Sequence, residues 1–295
     1  GRITAMSEPA VAVSDVRKRY GDLWALDGIT FDIAHGECFA LLGPNGAGKT
    51  TVTEILEGYR GRDAGDASVL GVDPAHADRG WKAQLGIVLQ SDRDLGDLSV
   101  EEAVRHFASY YRDPRDVDEV IEAVGLSPKR TARNERLSGG QRRRLDVALG
   151  IIGRPRLLFL DEPTTGFDPE ARRDFWTLID RLKAEGTTIL LTTHYLEEAE
   201  HLADRVAVVS RGRVVACDTP SRLGGRQRGH SVVSWVVDGV PASEVTDTPT
   251  QLVAELSQRF GGEVPGLTVS RPRLEDIYLQ LVGDDAGPAA TGDAQ

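Results

Sequence analysis

Five consecutive apolar residues, Cys38-Phe39-Ala40-Leu41-Leu42, run without a break into Gly43-Pro44-Asn45-Gly46-Ala47-Gly48 and then Lys49-Thr50-Thr51. A short apolar run bounded by glycines reads as a strand. The residues from Lys49 to about Tyr59 read as the helix that follows it. Strand, glycine-rich turn and helix in that order open a crossover unit, which points to an α/β fold.

The rest of the chain agrees. Val11 to Val16, Ile29 to Ile33, Val69-Leu70 and Leu85 to Leu89 carry strand signals, and so do Leu157 to Leu160, Thr187 to Leu191 and Val206 to Val209. The last three are separated by helical stretches of parallel-crossover length, so the sheet is expected to be mostly parallel. From Val100 to about Gly150 the apolar spacing is helical, with Glu101 and Glu102 in a first turn. This section reads as a helical insertion, residues 91–153. Beyond Cys217 the sequence loosens through Gly224 to Gly229. It then offers a strand at Val232 to Val237, a helix around Leu252 to Phe260, a strand at Leu267 to Ser270 and a helix at Leu274 to Val282. The expected organisation is a main domain over 6–217, a small α+β domain over 218–283 and a disordered tail over 284–295. Residues 1–5, ahead of Met6, read as a tag remnant.

Composition narrows the partners. Lys and Arg total 35 against 46 Asp and Glu, a formal charge of -11. A phosphate backbone is repelled by such a surface, so nucleic acid is not an expected partner. Cys38 and Cys217 fit no metal-ligand spacing and are expected as buried, reduced thiols. No apolar run approaches the roughly 20 residues of a membrane span, so any membrane role needs a partner.

Four segments carry chemistry. Gly43 to Thr50 matches the phosphate-binding pattern G-x-x-x-x-G-K-[ST] between a strand and a helix, the context that pattern requires. Its glycines let backbone N–H groups converge on phosphate at a helix start, Lys49 adds a point charge, and Thr50 is placed for Mg²⁺. Asp161-Glu162 closes the strand Leu157 to Leu160, at the edge where open α/β sheets hold ligands. Asp161 is the expected Mg²⁺ group and Glu162 the base that polarises water. His194 leaves the next strand on the same edge; a γ-phosphate contact and a structural role both remain open, and its spacings to Glu198 and His201 match no helical zinc motif. Leu137-Ser138-Gly139-Gly140-Gln141 precedes a helix that Ser138 can cap, and is either a capped helix or a second anion site. Arg142-Arg143-Arg144 reads as a solvated helix face.

Gly43 to Thr50, Gln90, Leu137 to Gln141, Leu157 to Glu162, Gly166-Phe167-Asp168 and His194 stand in the order of the Walker A, Q-loop, signature, Walker B, D-loop and switch histidine of the ABC transporter ATPase family. Over Val11 to Cys217 the sequence resembles that family, apart from Phe167, where Leu is usual. The resemblance implies a P-loop NTPase core with an antiparallel β-subdomain, ATP and Mg²⁺ as cofactors, and hydrolysis of ATP. It implies an ATP site formed by Tyr20, Gly43, Pro44, Asn45, Gly46, Ala47, Gly48, Lys49, Thr50 and Thr51. Tyr20 would stack on adenine there, although it also fits an ordinary strand end. Glu162, His194, Lys49 and Gln90 would be catalytic, and Thr50, Gln90 and Asp161 would hold Mg²⁺. Leu137 to Gln141 would meet the nucleotide of a second copy, with Asp168 at that interface.

The implied partners are a second copy of the chain and a separate integral-membrane permease, at the cytoplasmic face of the cell membrane. Leu98 to Val104 with Phe107 and Tyr110, and Pro272 to Leu279, resemble segments of ABC-2 type drug and antibiotic-resistance exporters. The alternative is a soluble ABC-type ATPase acting as a scaffold or regulator without a permease.

Overall fold

The structure, a computed structural model, describes residues 8–88, 95, 97–223, 231–271 and 274–283. Gln90, the proposed remnant at 1–5, the tail at 284–295, the loose stretch Gly224 to Gly229 and the pair Pro272-Arg273 lie outside the described residues. The chain parts into two compact units, Gly1–Val215 and Ala216–Gln295.

In the first unit, β1 (Val11–Tyr20), β2 (Leu23–Ile33) and β4 (Ala64–Val69) form an antiparallel sheet in the order β2-β1-β4. These strands are longer than expected, because register shifts along β1 let it bend while it keeps pairing. The sequence signal survives only where alternation feeds the core, as at Val11, Val13 and Val16.

A six-stranded sheet has the order β5-β6-β7-β3-β8-β9: β5 (Leu85–Val88), β6 (Leu157–Asp161), β7 (Thr188–Thr193), β3 (Cys38–Leu42), β8 (Arg205–Ser210) and β9 (Arg213–Asp218). The pairs β5–β6, β6–β7, β7–β3 and β3–β8 are parallel. All five residues of β3 and all six of β7 are buried, as central parallel strands must be when helices cover both faces. β9, which the sequence did not signal, follows the two-residue turn Arg211-Gly212, where both φ values are positive, 47° and 74°. Cys217 on β9 is exposed, contrary to expectation: β9 alternates half-buried and exposed positions, and Cys217 falls at an exposed one. Cys38 is buried, and burial pushes its thiol up to about 12.

Among the described residues the helical section holds three α-helices. α3 (Val100–Ala108) opens on a capping box of Ser99 and Glu102, α4 (Val117–Ala123) is capped by Asp116, and α5 (Gly139–Ile151) follows a loop. Around the sheet lie α1 (Lys49–Leu56), the single turn α2 (Arg79–Lys82), α6 (Pro169–Ala184) and α7 (Leu196–Leu202). α1 stops at Leu56, short of the expected Tyr59, and the chain leaves it through Gly58, whose φ of 77° ends the helix.

The second unit holds β10 (Ser231–Val237), β11 (Val240–Thr246), α8 (Pro249–Phe260), β12 (Thr268–Ser270) and α9 (Leu274–Gly283). Its antiparallel sheet has the order β11-β10-β12, and Val233 and Trp235 of β10 pack with Leu256 of α8. β11 was not expected, since Pro241, Ser243 and Glu244 dilute its pattern. An edge strand tolerates such residues, and the Asp238-Gly239 turn that leads into it carries the short hairpin signal.

Candidate nucleotide-binding site

Register places the site. Leu42 of β3 lies opposite Thr193 of β7, and Asp161 of β6 opposite Thr192. Three neighbouring parallel strands therefore end at one level, and Gly43, Glu162 and His194 follow from the same sheet edge.

The loop after β3 needs its glycines for two separate reasons. At Gly43 a methyl group would collide with the Val209 carbonyl oxygen; Gly48 has a φ of 107° and would press a methyl group to 2.7 Å from the Ala25 oxygen. No side chain caps α1, and its first helical bond runs from the Val52 amide to the Gly48 carbonyl at 3.0 Å. The amides of Lys49, Thr50 and Thr51 therefore precede the helical ladder and can meet an anion. Lys49 is only 5% exposed; its Nζ donates to the Gly43 carbonyl and, at 3.4 Å, to that of Pro44. Burial pulls its ammonium below the ordinary lysine value, against the opposing pull of the Glu162 and Asp161 carboxylates.

At the end of β6, Asp161 Oδ1 accepts a hydrogen bond from the Thr192 hydroxyl at 2.6 Å. The next residue, Glu162, has a φ of 44°. A non-glycine residue held there stores about 1–3 kcal/mol of strain, so the surroundings must impose the posture. Part of the restraint is visible: the Glu162 amide donates to the Thr192 carbonyl at 3.0 Å and lies 3.2 Å from the Thr192 hydroxyl. Glu162 Oε1 lies 3.4 Å from Nδ1 of His194, whose ring packs on Tyr195. Thr164, two residues on, donates to the buried Glu198 of α7 at 2.8 Å, which ties this loop to that helix.

A cleft of about 870 Å³ gathers Tyr20, Pro44, Asn45, Gly46, Gly48, Lys49, Thr50, Thr51 and Glu162. That volume suits a nucleotide. Gly43 and Ala47 shape the loop without lining the cleft. Leu23, Trp24 and Arg211 line it and were missed, since no short motif marks them. Tyr20 is 41% exposed and carries the Lys18 ammonium and the Arg60 guanidinium within 6 Å of its ring centre, at 5.6 and 5.4 Å.

Leu137 to Gln141 are absent from the lining of this cleft. Ser138 caps α5 in a capping box with Gln141, their side chains meeting each other's amides at 3.2 and 3.0 Å. The Ser138-x-x-Gln141 spacing carried that signal. Asp168 caps α6, accepting from the Ala171 amide at 2.8 Å. Phe167 is buried, with its ring edge-on to Phe175 at 6.0 Å. The three arginines after the signature turn are not a solvated face. Each is half-buried, Arg143 reaches the carbonyls of Asp161 and Pro163, and Arg144 lies 3.6 Å from Asp174.

The family model described as ABC transporter matches residues 26–165. The chain is 39% identical to the Nod factor export ATP-binding protein I of Ralstonia nicotianae, over 94% of this chain and 95% of that protein. It is 40% identical to the daunorubicin resistance ATP-binding protein DrrA2 of Streptomyces coeruleorubidus, over 93% of this chain and 95% of that protein. This chain belongs to the ABC transporter ATP-binding family. As a member it is an ATPase that binds ATP and ADP, the ATP-binding subunit of a transporter. A solved ATP-binding subunit of an ABC transporter shares the fold, with a TM-score of 0.70 at 23% identity, covering 92% of this chain and 99% of that one. Among the described residues no helix is long and apolar enough to cross a membrane.

Proposed function

We propose that two copies of this ABC subunit close head to tail around two ATP and drive a separate integral-membrane permease in export, from the cytoplasmic face of the membrane. The observation that carries this reading is the split of phosphate-grade features. One cleft holds the loop amides, Lys49 and Glu162, while the Ser138-Gly139-Gly140 turn at the start of α5 lies outside its lining. A second copy in reversed orientation supplies that turn to each nucleotide.

In this reading Tyr20 stacks on the base and residues 43–51 cradle the phosphates. Glu162 takes the proton of the attacking water, His194 steadies the γ-phosphate beside it, and Gln90 relays the state of the site to the permease. Lys49 offsets the charge that builds on the transferred phosphoryl group. The donors fit Mg²⁺: Asp161 is a carboxylate already oriented by Thr192, and Thr50 brings a hydroxyl at the cleft, an all-oxygen set suited to a hard cation. Thr50, Gln90 and Asp161 would hold it, and the ion would neutralise phosphate charge.

Export is supported by the relatives, one named for export of Nod factor and the other for daunorubicin resistance. Affinity capture from detergent-solubilised membranes of the native host tests the partner. Recovery of a polytopic membrane protein is expected. Recovery of soluble proteins alone would point to a scaffold or regulator instead.

A further inference from the structure

The geometry points to Arg143 as a positioning residue for Glu162, and as the link between the signature turn and the hydrolytic centre of the same chain. The inference rests on the reading of Glu162 as the base.

Arg143 sits in the second turn of α5, five residues after Ser138. Its guanidinium donates from Nη2 to the carbonyl of Asp161 and from Nε to the carbonyl of Pro163 at 3.3 Å. Those two carbonyls flank Glu162, the residue held at a φ of 44°. The Asp161 carbonyl belongs to the peptide plane that φ of Glu162 rotates against, so fixing its direction helps fix that torsion. On the other side, the Thr192 carbonyl and hydroxyl take the Glu162 amide. Thr192 of β7, through its carbonyl and hydroxyl, and the Arg143 side chain from α5 thus hold the turn between them.

A rigid planar fork suits this task. Arginine presents several N–H donors at fixed angles, whereas a lysine ammonium is a point charge that cannot span two carbonyls in the same geometry. Pro163 opens the loop after Glu162, so Arg143 ties the helix that the signature turn starts to that loop. Engagement of the turn by the partner's nucleotide moves the start of α5, and Arg143 carries the movement to Glu162. ATP in one site then sets the hydrolysis rate in the other.

The test compares Arg143→Lys, Arg143→Ala and Glu162→Gln with wild type. Steady-state ATPase gives kcat, KM and the Hill coefficient; fluorescent ATP-analogue binding and melting temperature are measured in parallel. Misplacement of a catalytic group by about an ångström costs on the order of a hundredfold in rate. Both Arg143 variants should therefore lose about tenfold to a hundredfold in kcat, with analogue affinity within about twofold and a Hill coefficient moved toward one. Free guanidinium in the buffer should partly restore Arg143→Ala, a rescue that a purely structural role would not give. Wild-type kcat and cooperativity in Arg143→Lys, beside an inactive Glu162→Gln, would overturn the inference and leave the base assignment standing. A rate loss that only follows lost affinity or a lowered melting temperature would overturn it too. If Glu162→Gln hydrolyses ATP like wild type, the base assignment itself fails and takes the inference with it.

Discussion

Glu57, just past the end of α1, is 1% exposed, and its Oε2 has no hydrogen-bond partner among the described residues. Burial pushes its carboxyl up to about 8, and the charges of Asp161 and Glu54 push the same way. The folded protein therefore holds this proton between about pH 4.5 and 8, where the unfolded chain has released it. Stability must fall as pH rises through that window and level off on either side. Each unit is worth about 1.4 kcal/mol, so the group removes about 4 kcal/mol between about pH 5 and 8. For a unit of this size that is on the order of 10 °C in melting temperature. Glu57→Gln keeps the shape without the proton equilibrium. Its buried amide adds a cost that is the same at every pH, so the difference between two pH values isolates the titration. Calorimetric melts of wild type and variant at both ends of the window read it directly. The variant should lose less stability across the window, by about the amount given. Parallel pH profiles for the two proteins would refute the assignment of a buried, protonated Glu57.

Two further changes follow from the geometry. Gly48→Ala forces a side chain into a φ of 107° and against the Ala25 carbonyl, so it should lower stability by about 2–3 kcal/mol and abolish measurable ATP binding. Urea unfolding and calorimetric titration with ATP check both. A thiol reagent should label about one cysteine in the native protein and two after denaturation, because Cys217 is exposed while Cys38 is buried with its thiol pushed up to about 12.

The phosphate loop was legible because its chemistry is local: two glycines, a lysine and a threonine at fixed spacing between a strand and a helix. The Asp161-Glu162 pair was legible for the same reason, since the apolar run before it announces a buried strand. What brings these segments together is register between β3, β7 and β6, which no local pattern encodes. No local pattern marks Glu57, because its burial depends on what packs against the end of α1. Arg143 was misread for a related reason. Three arginines in a row suggest solvent, and only the fold reveals a pair of carbonyls 18 and 20 positions downstream. In the second unit β10 was visible through its valines and Trp235. β11 was hidden by Pro241 and Glu244, which an edge position accommodates.

Sedimentation of Glu162→Gln with and without ATP and Mg²⁺ tests the head-to-tail closure most directly. Removing the base while keeping the phosphate contacts should trap the closed state. A shift from the 32.0 kDa monomer to twice that mass is expected with ATP, and no shift with ADP. A variant that binds ATP tightly yet sediments as monomer at every protein concentration would contradict the account.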